Sequence, residues 1–319
     1  MTILVTGASG FIGSYIVEEG LRRGYEMWAG MRGSSSKSYL QDERIRFARL
    51  DLSNSQKLQA QLEDYRQQMG GRKWDVIVHA AGATKCLHEE DFFKVNTQGT
   101  RNLVEALQAA NMVPERFVFI SSLSIYGAIR ETPVKTTAKS GSPWIYSPIL
   151  DADTPQPNTA YGRSKLEAEK YLQSLPDFPY TILRPTGVYG PREKDYFLMA
   201  SSIAGHVDFA VGYQPQEITF VYVMDVVNAV FGCMQAPNAL RKAYFLSDGQ
   251  VYHSRRFSDL LQQEMGVKCV LHIKAPLWFL RLVCKIASRW SKITGKMSAL
   301  NNDKYHILSQ RNWQCDIEP

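Results

Sequence analysis

No cysteine in this chain has another at metal-ligand spacing, and no histidine falls in register with one. The five, Cys86, Cys233, Cys269, Cys284 and Cys315, are scattered singly over 319 residues. Such spacing gives neither a disulfide framework nor a zinc module, and it fits free thiols in a reducing compartment. A long Lys/Arg run is missing too: the formal net charge of +6 is spread thinly, so a nucleic-acid partner has no basic footprint to meet. Nor is there an apolar run of membrane-spanning length. The most apolar late stretch, Leu277 to Trp290, is short and carries Arg281, Lys285 and Arg289, which argues against a bilayer span. Met1 leads straight into Ile3-Leu4-Val5 with no charged leader, and the expectation is a cytoplasmic protein. What is present, 45% hydrophobic and 21% charged residues, suits one large or two intertwined globular domains.

Thr2 to Val5 reads as a short buried strand. It runs into Thr6-Gly7-Ala8-Ser9-Gly10-Phe11-Ile12-Gly13 and then a helical stretch closed by Gly24. Strand, glycine turn and helix at G-x-x-G-x-x-G spacing form a dinucleotide cradle. Gly7 permits the turn, Gly10 lets the backbone approach a pyrophosphate, and Gly13 lets the helix pack on the strand with its N-terminus toward the phosphates. The second strand, 25–31, ends where cofactors with a free ribose usually meet Asp or Glu. Here stand Arg32 and Ser34-Ser35-Ser36, which suit a 2′-phosphate, so NADP(H) is the expected cofactor and NAD the alternative.

Further strands are expected at 44–50, 74–78, 117–120 and 180–183, separated by helices at 53–69 and 89–110 and by the helix that opens at Tyr161. Alternation of this kind predicts an α/β fold, a Rossmann-type doubly wound parallel sheet. The small residues Ala80, Ala81 and Gly82 after the fourth strand leave space for a ring or ribose, and His79 reads as a packed strand-end residue. The Pro/Ser/Thr-rich stretch 132–157 reads as a loop over the site, with Asn158 or Thr159 capping the next helix. On that helix Tyr161 and Lys165 stand four apart, so their side chains rise from one face. A nearby ammonium stabilises a phenolate, and a phenol tuned in this way can exchange a proton with an alcohol.

These stretches, together with Asp51-Leu52, Ser121 to Gly127, Arg184 to Pro191 and Phe220 to Val226, resemble the extended short-chain dehydrogenase/reductase family, also called NAD-dependent epimerases/dehydratases. The resemblance spans residues 2–226 in the family's order. It implies Tyr161 as the acid/base, Lys165 as the residue that lowers its pKa and holds the nicotinamide ribose, and Ser122 as the residue that polarises the substrate oxygen, with Ser121 and Ser124 as the other candidates. It also implies that Pro185 and Val188 lie against the nicotinamide, that Gly7 to Gly13, Asp51, Leu52 and Ala80 to Gly82 belong to the cofactor site, and that Asn96 is structural or solvent-linking. A Rossmann domain of 1–183 with a returning segment at about 218–247, and a smaller mixed α/β substrate-binding subdomain of 184–217 and 248–319, are the expected divisions.

Two departures from that family narrow the chemistry. Leu123, Ser124 and Ile125 stand where its dehydratases carry an Asp-Glu pair, so dehydration is not expected. Thr219 precedes Phe220 where its nucleotide-sugar enzymes commonly carry a pyrophosphate-binding Arg, although Arg192, Arg255 or Arg256 could reach the same phosphates. The expectation is hydride transfer between the nicotinamide and a secondary alcohol or ketone on a small, fairly apolar or sugar-like substrate, with nucleotide-sugar epimerisation as the alternative. Helices 89–110 and 158–175 are suited to a homodimer. Arg281, Lys285 and Arg289 form one helical stripe beside a broad apolar face, which fits packing on the subdomain, a wall for an apolar substrate, or contact with a membrane surface.

Overall fold

The computed structural model describes residues 1–135, 144–253, 255–295, 298 and 300–318. The expected loop over 132–157 therefore lies in part, at 136–143, outside the described residues. The central sheet has seven strands: β1 Thr2–Thr6, β2 Glu26–Met31, β3 Arg46–Arg49, β4 Val76–His79, β5 Arg116–Ile120, β6 Tyr180–Pro185 and β7 Ala243–Leu246. They lie in the order β7-β6-β5-β4-β1-β2-β3, all parallel. Strands leave in opposite directions from the β1–β4 neighbourhood, and open α/β sheets bind ligands at the carboxyl edge beside such a switch. The doubly wound sheet read from the sequence is borne out.

The helices in chain order are α1 Phe11–Arg22, α2 Ser55–Gln68, α3 Glu89–Phe92, α4 Gly99–Ala109, α5 Ala160–Ser174, α6 Asp195–Ala204, α7 Val223–Gln235, α8 Arg256–Glu264, α9 Leu277–Thr294 and α10 Asn302–Ser309. Side chains alternate across each strand, so β1 sends Leu4 to one face and Ile3 and Val5 to the other. Leu4, Trp28, Ile77 and Phe119 meet Leu58 and Leu62 of α2, Leu103 and Leu107 of α4, and Ala168 and Leu172 of α5. On the opposite face Ile3, Val5 and Val78 meet Ile16 and Val17 of α1 and Val227, Val230 and Phe231 of α7. Both faces are covered, which is why the strands read as continuous apolar runs.

The stretch expected as one helix over 89–110 is interrupted by a π turn at Phe93–Gln98. The extra residue turns Asn96 inward, where it exchanges hydrogen bonds with Ala83 (Nδ2 to the carbonyl 3.0 Å, Oδ1 from the amide 2.7 Å). Beyond the sheet, strand Val207–Val211 pairs in parallel with Leu271–Ala275, Gly187–Tyr189 with Phe220–Tyr222, and Glu217–Ile218 runs antiparallel to Tyr252–His253. A cluster of rings knits these pieces together: Phe220 stacks on Phe257 at 4.5 Å and Tyr196 meets Phe257 at 5.3 Å. The chain then returns across the 146–150 segment, where Asp316 donates its amide to the Ile149 carbonyl at 2.9 Å.

Candidate active site

Gly7 takes φ +70°, and a Cβ there would stand 2.6 Å from the Ala81 amide nitrogen. A Cβ on Gly13 would stand 2.3 Å from the Gly7 carbonyl oxygen, whereas Gly10, at 3.1 Å from that oxygen, is less crowded and is exposed. The loop thus needs glycine at both ends for packing and leaves its middle open to an incoming group. Helix α1 starts at Phe11 with neither a side-chain cap nor an acidic residue in its first turn. Its free amides and positive dipole end face outward beside Ser9, Phe11 and Ile12, a cradle that fits a pyrophosphate. The close approach of Ala81 to Gly7 ties Ala80, Ala81 and Gly82 to the same crevice.

Arg32 projects exposed from the end of β2. The register between β2 and β3 sets Met31 beside Arg49, and the Arg49 guanidinium lies 3.0–3.1 Å from where a Gly33 Cβ would be. The Arg49 guanidinium therefore lies beside the loop that carries Arg32, Ser34, Ser35 and Ser36. From the sequence Arg49 reads only as a strand residue; its last position on β3, next to the loop, is the available signal. Asp51 turns its carboxylate to Ser53 Oγ at 2.6 Å and Lys57 Nζ at 2.9 Å, and these partners hold it down at about 2. Leu52 packs against the core and accepts from Asn102 Nδ2 at 2.8 Å.

At the end of β5 the chain delivers Ser121 and Ser122, and Thr159 caps α5 by accepting from the Gly162 amide at 2.9 Å. That cap fixes the first turn bearing Tyr161. Burial pushes the Tyr161 phenol up to about 12, and a hydrogen bond with Ser122 pulls the other way. Lys165, only 4% exposed, donates to the Ile120 carbonyl at 2.8 Å and lies over the Phe119 ring at 4.7 Å. Burial pushes its ammonium down to about 8, against the charge of Glu169. A Cβ on Gly82 would sit 3.2 Å from Lys165 Nζ, so the lysine reaches the crevice beside Gly82, and burial is the largest influence on the tyrosine. Asn96 supports this helix through Ser164 Oγ at 2.9 Å. His79 is bonded to Thr6 Oγ1 at 2.6 Å and Thr100 Oγ1 at 3.0 Å, and burial holds it neutral at about 3.

One network here escapes sequence reading. Buried Glu169 takes Arg184 Nη2 at 2.8 Å and Nε at 3.1 Å and also receives the Ser121 hydroxyl, while Arg184 reaches Asp151 at 2.6 Å and the Tyr126 hydroxyl at 3.0 Å. Glu169 stands four residues beyond Lys165 on the same helix face, the one local hint of its role.

A cavity of 590 Å³ opens beside Ser122 and Pro185, walled largely by hydrocarbon and rings, among them Tyr196, Met199, Phe209, Phe220, Phe257, Leu308 and Trp313. Its charged lining is Glu193, Asp195, Asp208 and Lys304. Asp195 is held by Lys85 at 2.5 Å and Lys304 at 3.0 Å, and Asp208 by His272 Nδ1 at 3.1 Å. The buried Thr186 hydroxyl on this wall finds no hydrogen-bond partner among the described residues. Val188 pairs with Val221 next to it. Of the three arginines that could have met phosphates, Arg192 is clamped on α1 by Ser14 at 2.8 Å and Glu18 at 2.7 Å. Arg255 is taken up by Asp259 at 3.2 Å and His272 at 3.0 Å, and Arg256 is exposed. None of the three lines the cavity.

The parallel sheet with a glycine loop at the head of its first helix is that of the doubly wound dinucleotide-binding enzymes. The chain belongs to the NAD dependent epimerase/dehydratase family, whose model matches residues 3–246. It is 25% identical to UDP-glucose 4-epimerase of Vibrio cholerae, with 98% of this chain and 90% of that one covered. It is 27% identical to 3-beta-hydroxysteroid dehydrogenase of Mycolicibacterium neoaurum, with 80% and 68% covered. Among solved structures, UDP-glucose 4-epimerase of Thermus thermophilus in complex with NAD aligns with a TM-score of 0.69 at 26% identity over 86% of each chain. The resemblance read from the motifs is thereby borne out, and the chain is an enzyme of this family.

Proposed function

We propose that this enzyme is an NADP(H)-preferring oxidoreductase that interconverts a ketone and a secondary alcohol on an apolar substrate held in the 590 Å³ cavity. The observation that carries this reading is the wall. It is largely hydrocarbon and rings; of its charged groups, Glu193, Asp195, Asp208 and Lys304, Asp195 is already paired with Lys85 and Lys304 and Asp208 with His272. None of Arg192, Arg255 and Arg256 lines it, so a sugar-nucleotide pyrophosphate would be desolvated with no unpaired cation on the wall to meet it. The volume falls within the range of about 300–1,000 Å³ typical of sites for drug-sized ligands. The likeness to a hydroxysteroid dehydrogenase supports a polycyclic ketone as the first probe.

The residues that would hold a nicotinamide cofactor are the α1 cradle at Gly7 to Gly13, Arg32 and Arg49 at the adenosine end, Asp51 and Leu52, Ala80 to Gly82, Lys165, Pro185 and Val188. When bound there, the nicotinamide exchanges hydride with the carbinol carbon. Ser122 holds the substrate oxygen. Tyr161 gives its phenolic proton to that oxygen in reduction and takes it back in oxidation. A phenol pushed up to about 12 keeps its proton at neutral pH, the state required for donation to a ketone. We further propose that the Rossmann domain comprises 1–183 with about 218–247, and that the cavity belongs to a subdomain of 184–217 and 248–319.

Ketone-dependent loss of NADPH absorbance tests the reading. Tyr161→Phe is expected to lower kcat by about 10²–10⁴-fold, and Arg32→Ala with Arg49→Ala to weaken NADPH by about 10–100-fold while leaving NADH unchanged. Equal affinity for the two cofactors in the native enzyme would remove the phosphate preference. Likeness to UDP-glucose 4-epimerase over nearly the whole chain supports epimerisation as the second reading, and redox-neutral inversion of a UDP-sugar would establish it instead.

A further inference from the structure

Helix α9, Leu277–Thr294, presents a face that the fold leaves bare. Leu280 and Cys284 are buried, whereas Trp278 is 69%, Trp290 68% and Ile293 79% exposed, with Leu282 and Ile286 exposed between them. Positions 278, 282, 286, 290 and 293 share one stripe, turned away from the stripe of 280, 284 and 291. The next stripe round the helix is Arg281, Lys285 and Arg289, all exposed, and α9 contains no Asp or Glu to pair with them. Exposed apolar surface of this kind marks an interaction site.

Helix α9 packs on α10, whose Lys304, Ile307 and Leu308 form part of the cavity wall. Two more wall residues, Leu198 and Phe209, are themselves exposed, so the cavity mouth has an apolar rim. Leu271 and Ile273, on the strand that pairs with Phe209 and leads into α9, are exposed as well.

We infer that α9 docks the enzyme on an anionic phospholipid surface. A stripe of Trp, Leu and Ile between a buried face and a basic edge is the pattern of a helix lying in the plane of a membrane interface, with rings at the acyl boundary and cations at the phosphates. A second copy of the chain fits less well, because two-fold pairing of this helix would bring Arg281, Lys285 and Arg289 toward the same residues of its partner with no carboxylate on either helix. Among the described residues no helix is long and apolar enough to cross a membrane, in keeping with a helix that lies on the surface. Docking would set an apolar substrate dissolved in lipid near the cavity; this last step alone rests on the proposed apolar ketone.

The test is flotation of the purified full chain with phosphatidylcholine vesicles, with and without phosphatidylglycerol. Binding is expected only with the anionic lipid, accompanied by a blue shift of tryptophan fluorescence. Arg281→Glu, Lys285→Glu and Arg289→Glu together should weaken it by at least about 100-fold, and Ile286→Asp with Trp290→Asp should abolish it, both with unchanged NADPH affinity as evidence of an intact fold. Absence of binding by the native chain, or equal binding to neutral vesicles, overturns the inference. So does a native dimer that Ile286→Asp with Trp290→Asp splits into monomers, which would assign the stripe to a second copy. No substrate enters this experiment, so its failure and that of the ketone reading are separable.

Discussion

Lys165 keeps a charged head in a space closed by the Phe119 ring and the Ile120 carbonyl. Its pKa falls from the ordinary 10.5 to about 8, so between these values the unfolded chain binds more protons and folding stability rises with pH. At neutral pH holding this charge buried costs the fold about 3 kcal/mol net of its contacts. Lys165→Met should therefore be more stable than the native chain by about 2 kcal/mol at pH 7. That advantage should fade as pH rises through 8 toward 10, and turnover should be lost. Denaturant titrations of both proteins across that range measure it, and a variant less stable at every pH would mean that the lysine is held for packing. The same residue separates what sequence can and cannot tell. Tyr161 and Lys165 four apart on one helix were legible, because helical spacing alone puts them on one face. Their burial was not: the ring of Phe119 and the backbone of Ile120 that enclose the lysine come from β5, and burial raises the phenol and lowers the ammonium.

At the scale of elements, legibility followed from whether local chemistry or distant partners decide the structure. The glycine loop, β1 and α1 could be read because a left-handed Gly7 and a tightly packed Gly13 leave few alternatives at those positions. The π turn at Phe93–Gln98 could not, since it exists to bring Asn96 onto the Ala83 backbone from another segment. Strands Val207–Val211 and Leu271–Ala275 and helix α10 went unread as well: the strands are short and leave Phe209, Leu271 and Ile273 exposed, which blurs the alternation that marks a strand. The Glu169–Arg184 pair joins α5 to the end of β6 at 1% and 7% side-chain exposure. Removing one member leaves a buried charge, and Glu169→Ala is expected to cost about 3–5 kcal/mol in chemical denaturation. Turnover should also drop, because α5 carries Tyr161. A loss under about 1 kcal/mol would show that Asp151 and Tyr126 suffice to hold Arg184.

Across the whole molecule, the parallel sheet gathers the site at its carboxyl edge: the α1 cradle on one side of the β1–β4 switch, and Ser122 with α5 on the other. The cavity is assembled from segments far apart in sequence, from Ser122 to Trp313, and its character depends on what those segments place on a common wall. Thr219 in place of an arginine hinted at that character; the clamping of Arg192 onto α1 and the pairing of the wall's Asp195 and Asp208 completed it. On this reading the enzyme delivers net hydride to an apolar ketone, with Tyr161 supplying the proton.

The measurement that tests this most directly follows the hydride: the enzyme is incubated with a 3-ketosteroid and NADPH carrying deuterium at both C4 positions, and product alcohol, its deuterium and NADP⁺ are counted together. The expected result is one deuterium on the carbinol carbon and one NADP⁺ for every alcohol formed, and neither in Tyr161→Phe. Inversion of UDP-glucose with no net change in cofactor, and no deuterium passed to any ketone, would contradict it.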